Sequence, residues 1–321
     1  MATAPIVIND YKLFKLLGKG SFWEVYLTSK TNNPKLLATK RIDIKSQKNQ
    51  RMLSYLNHEI SIMKELSHPN IIKLYDFIPT RNHYYVIMEY CNGGSLCDCL
   101  KKYGKPFPVK VIQYLMRQII EGLIHIHSKS IVHRDIKLDN ILVNFNSNND
   151  LKKLNLLASE VKIIDFGFAK KLRPGGANTI VETPINMPPT IIKGFQENGE
   201  IGQLKKYSEK ADIWSLGVTC YQMLTGKTLF QATNMKDLIK KVKIGQYSIP
   251  RNLELSNELI DFLDCMLQYD ETLRWSAERL AEHPFLTKDV NEFEKIPKFV
   301  ITKNTKYNLN IPLYKDKNYF G

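Results

Sequence analysis

The sequence predicts an α+β, bilobal fold: a β-rich first lobe with one main helix, then a helical second lobe. Two apolar periodicities and a glycine-containing hinge carry this prediction. In the first ninety residues, short runs such as "KLLATKRI" and "YYVIMEY" have the length and apolar content of strands. One helix interrupts them. In "NHEISIMKELS" the residues Ile60, Met63 and Leu66 share a stripe, and Asn57 is placed as its N-cap. After "CNGGSL", beside a hinge near residues 89–95, the apolar spacing becomes that of helices.

The second lobe rests on two long helices. "VKVIQYLMRQIIEGLIHIHS" repeats apolar residues at Val111, Leu115, Ile119, Leu123 and Ile126. "SEKADIWSLGVTCYQMLTG" reads as a buried helix ended by Gly226. Between them, "NFNSNNDLKKLNLLASE" begins as a polar loop and reads as an insertion. From about Thr287 apolar repeats are few, which predicts a tail packed on the surface or without fixed structure. The expected divisions are an extension at 1–10, lobes at 11–90 and 91–286, and a tail at 287–321.

Composition narrows the classes. The 321 residues are 43% hydrophobic and 24% charged, enough for one large domain or two lobes. No apolar run is long enough to span a bilayer. "MATAPIVINDYK" lacks a basic n-region, a long apolar h-region and a glycine after Met, so neither a secretory signal nor myristoylation is expected. The five cysteines, Cys91, Cys97, Cys99, Cys220 and Cys265, form no CxxC pair. They predict reduced thiols in a cytoplasmic or nuclear chain. A net charge of +14 suits an acidic or nucleic-acid partner. The charges are scattered through a chain rich in Lys, Asn and Ile, however, with no arginine-rich block, so no nucleic-acid partner is expected.

The chemistry sits in two stretches. "IVHRDIKLDNILV", residues 131–143, sets an acid, a lysine and an amide at Asp135, Lys137 and Asn140. "VKIIDFGFAK" follows, with Asp165 directly before Phe166 and Gly167. Phosphoryl transfer needs positioning, and positive charge on oxygens that gain negative charge, more than covalent help. Two groups able to hold Mg²⁺, a carboxylate near the attacking hydroxyl and a lysine near the phosphates suffice. Upstream, "LGKGSFWEVYL", Leu17 to Leu27, looks like a hairpin built to lie over phosphates.

HRD-x-x-x-x-N, then DFG, preceded by "LLATK", resembles the eukaryotic protein kinases of the serine/threonine type. The match runs in order from about Tyr11 to Leu286. The resemblance implies ATP and Mg²⁺ as cofactors, protein substrates, and an upstream activating kinase as partner. It assigns Leu17, Gly18 and Gly20 to the loop over ATP, and Lys40 to the α- and β-phosphates with Glu59 as its partner. Val25, Ala38 and Leu142 would sandwich adenine, a generic core role being the alternative. Met88 matches the gatekeeper, and the backbone of Glu89 and Cys91 would hydrogen-bond the adenine edge. Asp135 would accept the substrate hydroxyl's proton, Lys137 would steady the transferring phosphate, and Asn140 and Asp165 would bind Mg²⁺. His133 and Phe166 are read as packing groups; Asp212, Trp214 and Arg274 are read as stability. Thr179 lies at the spacing of an activating phosphosite and would be pinned by Arg134. Thr183 would shape the hydroxyl-acceptor site. "MEYCNGGSL" and "DFGFAK" are similar to autophagy-initiating and calcium-dependent kinase groups.

Three departures stand out. Trp23 replaces the third glycine and, by strand alternation, should share the face of Val25. Glu182 and Thr190 replace a glycine and a glutamate in "ETPINMPPT", which leaves Arg274 without its usual acid and predicts a looser or differently anchored segment. The spacing from Asn140 to Asp165 is long, the extra length falling in the insertion. A pseudokinase or scaffold that keeps the fold without turnover is the alternative that Trp23, Glu182 and Thr190 favour.

Overall fold

In a computed structural model of the chain, the structure describes residues 6–20, 22–44, 50–171, 186–192, 208–249, 253, 255–292, 301–304 and 309–312. Strands β1 (Ile6–Ile8), β2 (Tyr11–Lys19), β3 (Trp23–Lys30) and β4 (Asn33–Asp43) precede helix α1 (Gln50–Glu65). Strands β5 (Leu74–Pro79) and β6 (His83–Glu89) follow it. The six strands form one sheet in the order β1-β2-β3-β4-β6-β5, antiparallel throughout. Strand β1 lies within the segment expected as an extension. Helix α1 begins well before Asn57, which is therefore an interior residue and not the N-cap. Leu56, buried like Ile60 and Met63, carries the apolar stripe back another turn. That burial favours a longer helix over a side-chain cap at Asn57.

Strand β6 ends at Glu89, and the chain turns through Gly94, whose φ of 76° suits a residue without a Cβ. Ser95 then caps α2 (Leu96–Tyr103) through a reciprocal box with Asp98. Helix α3 (Val109–Ser128) buries all five residues of its expected stripe. Strand β7 (Ile131–Val132) precedes β8 (Ile141–Phe145), α4 (Asn148–Lys153) and β9 (Ser159–Ile163). The stretch expected as a loop thus holds a helical turn, α4, between the paired strands β8 and β9. Ser147 caps it by accepting from the backbone N–H of Asp150, and Leu156 anchors its exit in the core. Strand β10 (Lys170–Lys171) pairs with β7.

Beyond α5 (Pro189–Ile192), helix α6 (Lys210–Thr225) runs through the middle of the second lobe and ends at Gly226, φ 71°. Fourteen of its residues are buried. Helix α7 (Met235–Ile244), strand β11 (Gln246–Ile249) and helices α8 (Asn257–Met266), α9 (Ala277–Ala281) and α10 (Pro284–Thr287) complete the lobe. Two tail segments, β12 (Ile301–Asn304) and β13 (Leu309–Pro312), add to β11 as an antiparallel sheet. One apolar cluster runs from Ile42, Ile60 and Met63 through α3 to α6, so the two lobes share a core. Among the described residues no helix is long and apolar enough to cross a membrane.

Helix α6 approaches its neighbours closely at Gly217. A Cβ there would lie 2.8 Å from Leu267 Cδ2 and 2.9 Å from Met266 Cβ. Gly217→Ala is expected to destabilise the chain by about 1–3 kcal/mol through overpacking. Thermal unfolding of the two proteins measures this.

Candidate active site

A cleft of about 600 Å³ is lined by Gly18, Lys40 and Met88 from the first lobe and by Asn140, Leu142 and Asp165 from the second. Strand alternation puts Ala38 and Lys40 on one face of β4, with Val25 of β3 directly across from Lys40. All three line the cleft. Helix α1 then brings Glu59 to it, with Lys40 Nζ 3.5 Å from Glu59 Oε1. Burial opposes the charge on Lys40, but the carboxylates of Glu59 and Asp165 outweigh it and raise its pKa. Burial also pushes the Glu59 carboxyl up, against the pull of Lys40. Acidification therefore weakens this pair earlier than it would an exposed one.

The segment after β7 is held from beneath. Asp212 of α6, fully buried, accepts the backbone N–H groups of His133 (2.9 Å) and Arg134 (2.7 Å) and a hydrogen bond from His127 Nε2 (2.9 Å). Arg134 adopts a φ of 69°, a costly conformation for a residue with a side chain. The two hydrogen bonds of its backbone N–H to Asp212 and of Nε to the Phe168 carbonyl, 2.6 Å, secure it. Asp135 follows, with Oδ2 2.6 Å from Lys137 Nζ and 2.7 Å from Asn140 Nδ2. Asn140 Nδ2 also donates to the Asp135 carbonyl at 2.9 Å. Both amide protons are thereby spent inward, which leaves the amide oxygen as the group that can meet a cation.

Asp165 has a φ of 66°, and the backbone N–H of Gly167 donates to its Oδ1 at 3.3 Å. A Cβ on Gly167 would lie 3.2 Å from Asp165 Oδ1 and 3.5 Å from Glu59 Oε2, so this glycine lets the two carboxylates converge. Phe166 is fully buried and meets His133 edge-on at 5.0 Å. His133 Nε2 donates to the Ile164 carbonyl at 2.9 Å, and its Nδ1 accepts the Asp135 N–H. These two rings tie the Asp135 turn to the Asp165 turn.

At the hinge, the N–H of Glu89 is spent on the Lys73 carbonyl at 2.9 Å, and its side chain pairs with the buried Lys162 at 3.1 Å. Leu17, Glu59, Glu89 and Cys91 also line the cleft, whereas Asp135 and Lys137 reach it through Asn140. Burial pushes the Cys91 thiol up to about 12. Cys99, at about 11, and Cys220 and Cys265, each at about 12, are raised by burial as well. Burial raises the Cys97 thiol too, but Cys97 is only half-buried, so maleimide at pH 7.5 should label it before any of these four, as peptide mapping of the labelled chain would report.

Some lining residues were not foreseen. Asp98 reaches the cleft because the Ser95 capping box fixes it there, and the S-x-x-D spacing of "SLCD" is its sequence signal. Ile72, Val86 and Ile164 line the cleft without a polar signature that separates them from core. Trp23 does share the cleft face with Val25, and its indole lies against Gly20. Thr179, Thr183 and Glu182 lie outside the described residues.

Thr190, buried in α5, stands where the matching acid was expected. The guanidinium of Arg274 donates to the carbonyls of Gln268, at 3.1 and 2.9 Å, and of Lys210, at 2.6 Å. It also lies 5.2 Å over the Trp214 ring. Carbonyl oxygens and an aromatic face are among the groups that meet this cation. A second cluster, Asp261, Cys265 and His283, has metal-ligand atoms within 4.8 Å of one another. His283 already donates Nε2–H to Asp261 and accepts the Phe285 N–H at Nδ1, which suits a structural role.

A family model described as the protein kinase domain matches residues 11–286. The chain belongs to the protein kinase family. It is 31% identical over 88% of its length to the serine/threonine-protein kinase PLK4 of Danio rerio, covering 28% of that protein. It is 33% identical over 90% of its length to the serine/threonine-protein kinase atg1 of Dictyostelium discoideum, covering 41%. It is 35% identical over 89% of its length to calcium-dependent protein kinase 5 of Plasmodium berghei, covering 48%. The chain spans less than half the length of each of these three relatives. Similar identities to three different kinase groups favour none of them.

Proposed function

We propose that the chain transfers the γ-phosphoryl group of ATP to serine or threonine hydroxyls of protein substrates. The observation that carries this is the convergence of Lys40, Glu59, Asn140 and Asp165 in one cleft beside Asp135 and Lys137. Two oxygen donors, an amide and a carboxylate, suit Mg²⁺, which retains waters and substrate phosphates among its ligands. Asn140 and Asp165 would hold it. When bound, Mg²⁺ supplies positive charge to phosphate oxygens. Lys40, steadied by Glu59, holds phosphate oxygens. Asp135 orients the acceptor hydroxyl and takes its proton, and Lys137 steadies the transferring group. Adenine lies between Val25, Ala38 and Leu142, near Met88, with the Glu89 carbonyl and the Cys91 N–H at its edge. The complete polar set supports turnover over a scaffold that only binds.

Thr179 is proposed as an activating phosphosite, with an upstream kinase as partner, and Thr183 as part of the acceptor site. Burial and the nearby charges of Arg134, Lys170 and Lys171 lower the pKa of His58, which supports a cationic receiver for phosphate. Asp98 and Asp139 in the cleft support a basic residue near the acceptor. A cytoplasmic or nuclear setting is supported by the five free cysteines. Peptides bearing serine, threonine or tyrosine acceptors, offered with Mg²⁺·ATP, test the reading. Phosphate on serine and threonine is expected, and less of it from Thr179→Ala; phosphate on tyrosine alone would contradict it.

A further inference from the structure

The indole of Trp23 fills the space on one side of the glycine hairpin. A Cβ built on Gly20 would lie 2.5 Å from Trp23 Cε2, 2.6 Å from Nε1 and 2.8 Å from Cζ2, and one on Gly18 would lie 3.9 Å from Cζ3. The ring therefore spans both glycines. It does so from the cleft side, since Trp23 lines the same cavity as Lys40 and Asp165. Strand register enforces this: Trp23 lies across from Ile42, two residues from the Val25–Lys40 pair, and so shares the face of Lys40. The backbone N–H of Gly20 donates to the Trp23 carbonyl at 2.8 Å, which fixes the start of the strand beside the glycine. Trp23 is still 39% exposed, so no packed core locks it in place.

We propose that Trp23 is a gate that selects against the polyphosphate end of a nucleotide. The inference rests on the ATP reading above: phosphates approach Gly18 and Gly20 from the side the indole now covers. ATP must displace the ring, whereas adenosine, held at the hinge end between Val25, Ala38 and Leu142, need not. Gly20 is required by the ring as much as by any ligand, because a Cβ there overlaps three indole atoms. If the ring covers the glycines in about nine molecules of ten, the apparent affinity for ATP is roughly ten-fold weaker than the open cleft would give.

The test compares Mg²⁺·ATP and adenosine binding by calorimetry on the full chain and on Trp23→Ala, with Trp23→Phe as an intermediate ring. The expected result is ATP binding tightened roughly ten-fold in Trp23→Ala, less in Trp23→Phe, with adenosine binding unchanged. ATP binding seen only in Trp23→Ala would support the gate equally. Weaker ATP binding in Trp23→Ala, or equal changes for ATP and adenosine, overturns it, because the ring would then support the nucleotide or act through the fold. Failure of both folded proteins to bind ATP overturns the nucleotide reading itself, and the gate with it. Indole fluorescence gives a second readout, since Trp214 and Trp275 belong to the second lobe. ATP should change the emission of the full chain and not that of Trp23→Phe.

Discussion

Asp135→Asn is expected to lower kcat for phosphate transfer by roughly 10²- to 10⁴-fold while ATP binding changes little. The substitution keeps the shape of the side chain but removes the charge that faces Lys137 Nζ at 2.6 Å and the Asn140 amide at 2.7 Å. On the proposed mechanism it also removes the base for the acceptor hydroxyl. The split between kcat and binding is the informative part. A side chain that only held the turn together would lower both. Rapid-quench transfer assays, with binding measured separately, read the two quantities apart.

The second large effect is expected at Asp212, beneath the turn that carries Asp135. Asp212→Ala strips a partner from the backbone N–H groups of His133 and Arg134 and from His127 in a fully buried position. The expected cost is about 3–5 kcal/mol, which for a chain of this length lowers the melting temperature by roughly 4–8 °C. Activity should fall as well, because Arg134 sits in a costly backbone conformation that those bonds sustain and Asp135 is the next residue. Asp212→Asn fits the space but turns an amide N–H toward a donor, so it should also lose stability. Burial alone would raise the pKa of Asp212, but the hydrogen bond and charge of His127, with further help from His133, hold it below its ordinary value. A depressed carboxylate contributes fully above its unfolded pKa and loses its contribution as pH falls through the lower folded value. The difference between wild type and variant should thus be full at neutral pH and shrink only in strong acid. Calorimetric scans across pH measure it.

Much of this site was legible because the chemistry lies in short, ordered motifs. Asp135, Lys137 and Asn140 fall within six residues, and Asp165 precedes a glycine that leaves room for its carboxylate. The Lys40–Glu59 pair was readable because a strand lysine is followed by a helix whose apolar stripe carries the acid to its inner face. Other features depend on contacts that a local pattern does not encode. The cleft face of Trp23 was legible from strand alternation, but the lie of its indole against the bare face of Gly20 was not. Arg274 finds carbonyls of Gln268 and Lys210, which no motif names. The start of α1 was missed because Asn57 resembles a cap, while Leu56 continues the stripe behind it. The pairing of β12 with β11, and of β13 with β12, was invisible for a different reason. Strand addition along a backbone edge needs hydrogen-bonding groups more than an apolar period.

The most direct measurement is transfer of labelled phosphate from ATP by the purified chain, with Mg²⁺ and a generic protein substrate, beside Asp165→Asn. Asp165 lies close to the Lys40–Glu59 pair and, on the proposed reading, would hold the cation with Asn140. Labelled substrate is expected from the wild-type chain and almost none from Asp165→Asn. Equal labelling from both proteins, or none from either when an activating kinase is also supplied, would contradict the proposed transfer.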